Sequence, residues 1–113
     1  MTTLYHNPRC SKSREALHLL EAEGETLEII KYLENPPCYQ ELTQVIELLE
    51  IKPMDLVRTQ ESVWKEKFKG VKLTDEELIT AMVENPKLIE RPIAIKGTHA
   101  VIGRPPEKVL EIL

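Results

Sequence analysis

A lone cysteine set among cations is the first feature of this sequence that could do chemistry. The run Tyr5-His6-Asn7-Pro8-Arg9-Cys10-Ser11-Lys12-Ser13-Arg14-Glu15 places Cys10 between a short strand candidate and a helical pattern. A helix N-terminus carries unpaired backbone N–H groups and the positive end of the helix dipole. Both favour an anion there, including a thiolate. Arg9, Lys12 and Arg14 add three positive charges within six residues, with no acid between them. Ser11 and Ser13 carry hydroxyls able to donate to a bound oxyanion. His6, four residues before the thiol, could bias it further. Together these residues suit nucleophilic attack on an oxyanion. Taken one at a time they read more plainly: a free cysteine is often a small buried hydrophobe, and a lone histidine is more often structural.

Other motif classes are excluded. The spacing is Cys10-x-x-Ser13, which lacks the second thiol of a dithiol oxidoreductase. Ala16 stands where a Cys-x5-Arg phosphate loop needs its arginine. The two cysteines, Cys10 and Cys38, have no metal-ligand spacing, so no metal is expected. Cys38 follows Pro36-Pro37 and could serve as a resolving thiol in an internal disulfide, but an incidental thiol near a helix start is the favoured expectation. Arg58, Arg91 and Arg104 are the downstream anion-binding candidates, because the guanidinium fork grips oxyanions with two hydrogen bonds and stays charged. Arg91-Pro92 precedes a predicted strand and is a candidate cis peptide bond.

The elements that must hold these residues can be read from the pattern. Leu4-Tyr5-His6 predicts a strand. Ala16, Leu17, Leu19 and Leu20 lie on one face of a helix that runs from Ser11 and stops at Gly24. Thr26 to Leu33 predicts a second strand, ended by Pro36-Pro37. Leu42, Val45, Ile46 and Leu49 recur at helical spacing between Gln40 and Leu49. Short helical pieces follow from Pro53 to Arg58 and from Ser62 to Phe68. Thr74 with Glu77 three residues on signals another helix start, and Asn85-Pro86 its end. Pro92 to Ile95 and His99 to Gly103 predict a hairpin around Lys96-Gly97-Thr98. Pro105-Pro106 opens a closing helix over Glu107 to Leu113. The order β-α-β, helical block, β-β-α predicts an α/β fold. It has a four-stranded mixed sheet with one parallel crossover and an antiparallel hairpin.

The chain has 113 residues, with 15 Lys and Arg against 19 Asp and Glu, a net charge of −4. That length suits one domain, and a hydrophobic share of 42% excludes a disordered chain. A net acidic chain argues against non-specific nucleic-acid binding. No apolar run reaches the roughly 18–20 residues of a membrane span, and the N-terminus has no leader pattern, so a soluble, cytoplasmic protein is expected.

The string His6 to Arg14, then Tyr32-Leu33-Glu34-Asn35-Pro36-Pro37, Arg91-Pro92-Ile93 and Gly103-Arg104-Pro105, resembles the glutaredoxin-coupled arsenate reductase family over essentially the whole chain. The resemblance implies a single thioredoxin-like (glutaredoxin-like) domain over residues 1–113 with a helical insert at about 38–86. It implies Cys10 as the nucleophile. Arg58, Arg91 and Arg104 would be the oxyanion-binding and transition-state-stabilising arginines. His6, Ser11, Ser13, Arg14 and Pro92 would bind substrate or tune the thiol, with Pro92 in cis. Arsenate or a similar oxyanion is the implied substrate, with glutathione as co-substrate and glutaredoxin as partner. No bound cofactor, nucleic acid or membrane is implied, and a monomer is the default. The basic loop and the end at Leu113 are more similar to the short, chromosomal branch. Two alternatives stay open. One is a glutathione-dependent oxidoreductase acting on another substrate. The other is a non-catalytic redox or transcription-regulatory binding protein of the same family. That last type uses a Cys-x-x-Cys pair, which Ser13 interrupts here.

Overall fold

Residues 1–113 are all described by the computed structural model, in which contacts group residues 1–35 with 91–113 and, separately, residues 36–90. In the first unit, four short strands form one sheet: β1 (Thr2–Tyr5), β2 (Leu27–Ile30), β3 (Ile93–Lys96) and β4 (His99–Ile102). Their order is β2-β1-β3-β4. β1 runs parallel to β2, from Thr2 opposite Leu27 to Tyr5 opposite Ile30. Parallel neighbours need a crossover, and α1 (Ser11–Ala22) supplies it. β3 pairs antiparallel with both β1 and β4. The mixed sheet is as the residue pattern predicts, and its architecture is the thioredoxin-like one that the family resemblance implies.

Local chemistry explains the boundaries. α1 stops because Gly24 takes φ +76°, a left-handed conformation glycine adopts without penalty. The central strand contributes Leu4 to a core with Ala16 and Leu20 from α1, Ala94 from β3, and Val109 and Ile112 near the C-terminus. Leu17 and Leu19 only border it. Cutting one such leucine back to alanine costs about 2–5 kcal/mol. At the start of the sheet, Glu25 accepts from Thr2 Oγ1 at 2.5 Å and pairs with Lys96 Nζ at 3.0 Å. The Thr2 hydrogen bond, then the one from Lys96, holds the Glu25 carboxyl below its ordinary pKa.

Three elements depart from the sequence pattern. β1 begins at Thr2, two residues early, because Thr2 and Thr3 extend the ladder with β2. β2 ends at Ile30 rather than Leu33, since the Lys31 carbonyl accepts from Glu34 N and Asn35 N and the chain turns. The closing element, Pro106–Ile112, is a 3-10 helix. Its buried residues Pro106, Val109 and Ile112 recur every third position, which aligns them on a helix of three residues per turn.

The second unit is helical: α2 (Tyr39–Leu49), a 3-10 turn (Pro53–Leu56), α3 (Ser62–Lys67), α4 (Asp75–Glu84) and a 3-10 turn (Pro86–Leu88). α4 packs against α2 and both 3-10 turns. Its start is a closed capping box: Glu77 N donates to Thr74 Oγ1 at 3.2 Å, and Thr74 N donates to Glu77 Oε1 at 2.9 Å. Val57 bridges Ile89, flanked by Arg58 N to Leu88 O at 2.8 Å and Glu90 N to Leu56 O at 2.9 Å. No helix of the chain is long and apolar enough to cross a membrane.

Candidate active site

β1 delivers the chain into a tight loop that ends at Cys10, the N-cap residue of α1. Asn7 builds this loop. Its side-chain oxygen accepts from Arg9 N at 3.0 Å, and its carbonyl accepts from Cys10 N at 3.0 Å. An asparagine bonding the backbone two residues on is a turn-former by itself. Arg14 Nη1 braces the loop from outside by donating to the Pro8 carbonyl at 2.9 Å. Beneath it, Asn7 N donates to Ser13 Oγ at 3.0 Å, and His6 Nδ1 lies 2.6 Å from the same hydroxyl. With two lone pairs and one proton, Ser13 Oγ accepts from Asn7 N and forms the contact with His6 Nδ1 at the same time.

These contacts revise two expectations. Ser13 is fully buried and its hydroxyl serves Asn7 and His6, so it is a fixed post of the loop rather than a donor to a bound oxyanion. His6 has its pKa lowered, first by burial and then by the Lys31 and Arg14 charges. It is therefore neutral near pH 7, and any influence on the thiol is positional, not that of a cation. Ser11 is exposed at the first position of α1.

Arg104 reaches the thiol. It follows β4, and its Nη2 lies 3.8 Å from Cys10 Sγ. Its Nε donates to the Arg91 carbonyl at 2.9 Å, which aims the fork. The Arg91–Pro92 peptide is cis, as its position suggested, and so is Arg104–Pro105. Gly103 N donates to the Pro92 carbonyl at 2.8 Å, locking the two segments together. Only glycine fits there: a Cβ would stand 2.8 Å from Pro92 Cγ and 2.9 Å from Val109 Cγ1. The structure thus brings Cys10, Arg104 and the Arg91–Pro92 backbone together. Arg58 belongs to the helical unit, where it pairs with Glu61 Oε2 at 3.2 Å and Glu90 Oε1 at 3.5 Å. Cys10 and Cys38 are both free thiols.

The sequence reading missed Asn7 as the loop's organiser, although Asn-Pro directly after a strand is a signal for it. The anion-ready start of α1, by contrast, is legible in the sequence, where Arg9, Lys12 and Arg14 surround Cys10 with no acid between them. Cys10 makes no side-chain cap hydrogen bond, and the first turn holds no acid. That leaves donors and dipole directed at whatever the thiol binds.

The fold is thioredoxin-like, with a single cysteine at the N-terminus of α1 and an arginine against its sulfur. The ArsC family model matches residues 5–112, and the chain belongs to that family. It is 47% identical to the uncharacterized protein YfgD of Escherichia coli strain K12, over 97% of this chain and 94% of that protein. It is 45% identical to an arsenate reductase of Haemophilus influenzae, over 97% of each chain. An arsenate reductase structure from Vibrio cholerae superposes with a TM-score of 0.95 at 46% identity, covering 99% of this chain and 97% of that one.

Proposed function

We propose that this chain reduces arsenate to arsenite through Cys10, drawing electrons from glutathione and glutaredoxin. The observation that carries it is the Arg104 fork on Cys10 Sγ at an uncapped, acid-free helix start. The names of the similar proteins support arsenate as the oxyanion.

The Cys10 thiolate displaces hydroxide from arsenic and forms an S–As(V) bond, and the hydroxide leaves as water after taking a proton. Arg104 and the first N–H groups of α1 offset the charge that builds on the arsenate oxygens. Glutathione displaces a second hydroxyl and forms its own S–As bond. The glutaredoxin thiolate then attacks the glutathione sulfur. That S–As bond breaks with its electron pair left on arsenic, giving As(III) and a glutathione–glutaredoxin disulfide. Water cleaves the remaining S–As bond, releasing arsenite and the Cys10 thiol. Roles for Arg58 and Arg91 in holding the oxyanion rest on the family resemblance. The same proposal includes a reducing, cytoplasmic setting and a monomeric chain.

The test is arsenate reduction with glutathione, glutaredoxin and a nicotinamide-coupled readout, wild type beside Cys10→Ser. Turnover in the wild type alone is expected. An inactive wild type would discard arsenate as the substrate, and an active Cys10→Ser would discard the nucleophile.

A further inference from the structure

A groove of about 420 Å³ opens beside the Cys10 loop, lined by His6, Asn7, Pro8, Arg9, Lys31, Leu33 and Glu34. It sits beyond the C-terminal ends of the parallel strands β1 and β2, the usual place for a ligand in an open α/β sheet. Its size falls within the roughly 300–1,000 Å³ of small-molecule sites. The buried polar residues His6 and Asn7 contribute to its wall, and the exposed charges of Arg9, Lys31 and Glu34 stand around it. None of those three charges forms an ion pair within the chain. The turn after β2, in which Glu34 N donates to the Lys31 carbonyl at 3.0 Å, sets Lys31 and Glu34 side by side.

We propose that this groove is the binding subsite for the thiol co-substrate, a small peptide with two carboxylates and one ammonium group. The inference rests on the arsenate-reductase proposal and names where glutathione docks. Glutathione carries one carboxylate and one ammonium on the same carbon at its γ-glutamyl end, matching the adjacent Lys31 and Glu34. Its other carboxylate, on glycine, matches Arg9. Two cations and one anion in the groove thus mirror two anions and one cation in the ligand, and the loop bearing Arg9 leads directly to Cys10.

S-methylglutathione, which cannot react, is the binding probe. Titrated into the whole wild-type protein under ¹H–¹⁵N NMR, it is expected to give saturable shifts at the amides of Asn7, Arg9, Lys31 and Glu34. Lys31→Glu should weaken that binding about tenfold or more while the rest of the spectrum stays in place. In turnover, Lys31→Glu should raise the KM for glutathione about tenfold and leave the KM for arsenate within about twofold. Shifts confined to other residues, an unchanged glutathione KM, or an equal rise in the KM values for glutathione and arsenate would each overturn the subsite. Saturable groove shifts in a protein inactive on arsenate would keep the subsite and discard the arsenate proposal. Arsenate turnover with an unaltered glutathione KM in Lys31→Glu would do the reverse.

Discussion

Helix α4 begins with Thr74 and Glu77 bonding each other's backbone N–H, and with Asp75, Glu76 and Glu77 in its first turn. Helix α1 begins with Cys10, which caps nothing, and its first turn has no acid but holds Lys12. Acids and a hydroxyl cap satisfy the orphan donors and the positive dipole end of a helix, typically for about 1 kcal/mol per cap. α4 takes that stabilisation, whereas α1 leaves its donors open. The open start of α1 is what the proposed oxyanion site requires, since unpaired donors and the positive dipole end favour an anion.

The two starts can be pulled apart by mutation. Cys10→Ser should remove arsenate reduction to background in the coupled assay. It should also raise stability in urea unfolding by a few tenths to about 1 kcal/mol, because serine is a preferred N-cap. Arg104→Lys should lower kcat/KM for arsenate roughly 100-fold with the far-ultraviolet spectrum unchanged. A lysine cannot hold the Arg91 carbonyl with one nitrogen while reaching Cys10 Sγ with another. Thr74→Ala should cost about 1 kcal/mol in urea unfolding and leave the arsenate kinetics alone. The smallest effect is a pH dependence from His6, whose folded pKa lies below its ordinary 6.5. Well above pH 6.5 both states are neutral and the contribution is complete. As pH falls below 6.5 the unfolded chain takes the proton first, so stability drops until the lowered folded pKa is passed. Urea unfolding of wild type against His6→Asn should show that slope only in the wild type.

Much of this molecule is legible from its residues. The capping box at Thr74 and Glu77, the stop at Gly24 and the Lys96–His99 hairpin are local signals, and local signals survive folding. What was not legible depends on distant partners. The 3-10 form of Pro106–Ile112 is seen once Val109 and Ile112 pack on the sheet core. Ser13 reads as a donor to a bound oxyanion until His6 and Asn7 are brought to its hydroxyl. Arg104 was one of three downstream arginines until its fork met both Cys10 and the Arg91 carbonyl, from 94 and 13 residues away. Arg58 carried the same expectation, and Glu61 and Glu90 engage its charge.

The central claim is that an oxyanion binds at the Cys10 thiol against Arg104. Its most direct test is the rate of iodoacetamide alkylation of Cys10 in a Cys38→Ala protein, followed by mass spectrometry across an arsenate titration. Arsenate should slow the reaction in a saturable way, and Arg104→Lys should lose that protection. An alkylation rate indifferent to arsenate in the wild-type site would contradict the claim.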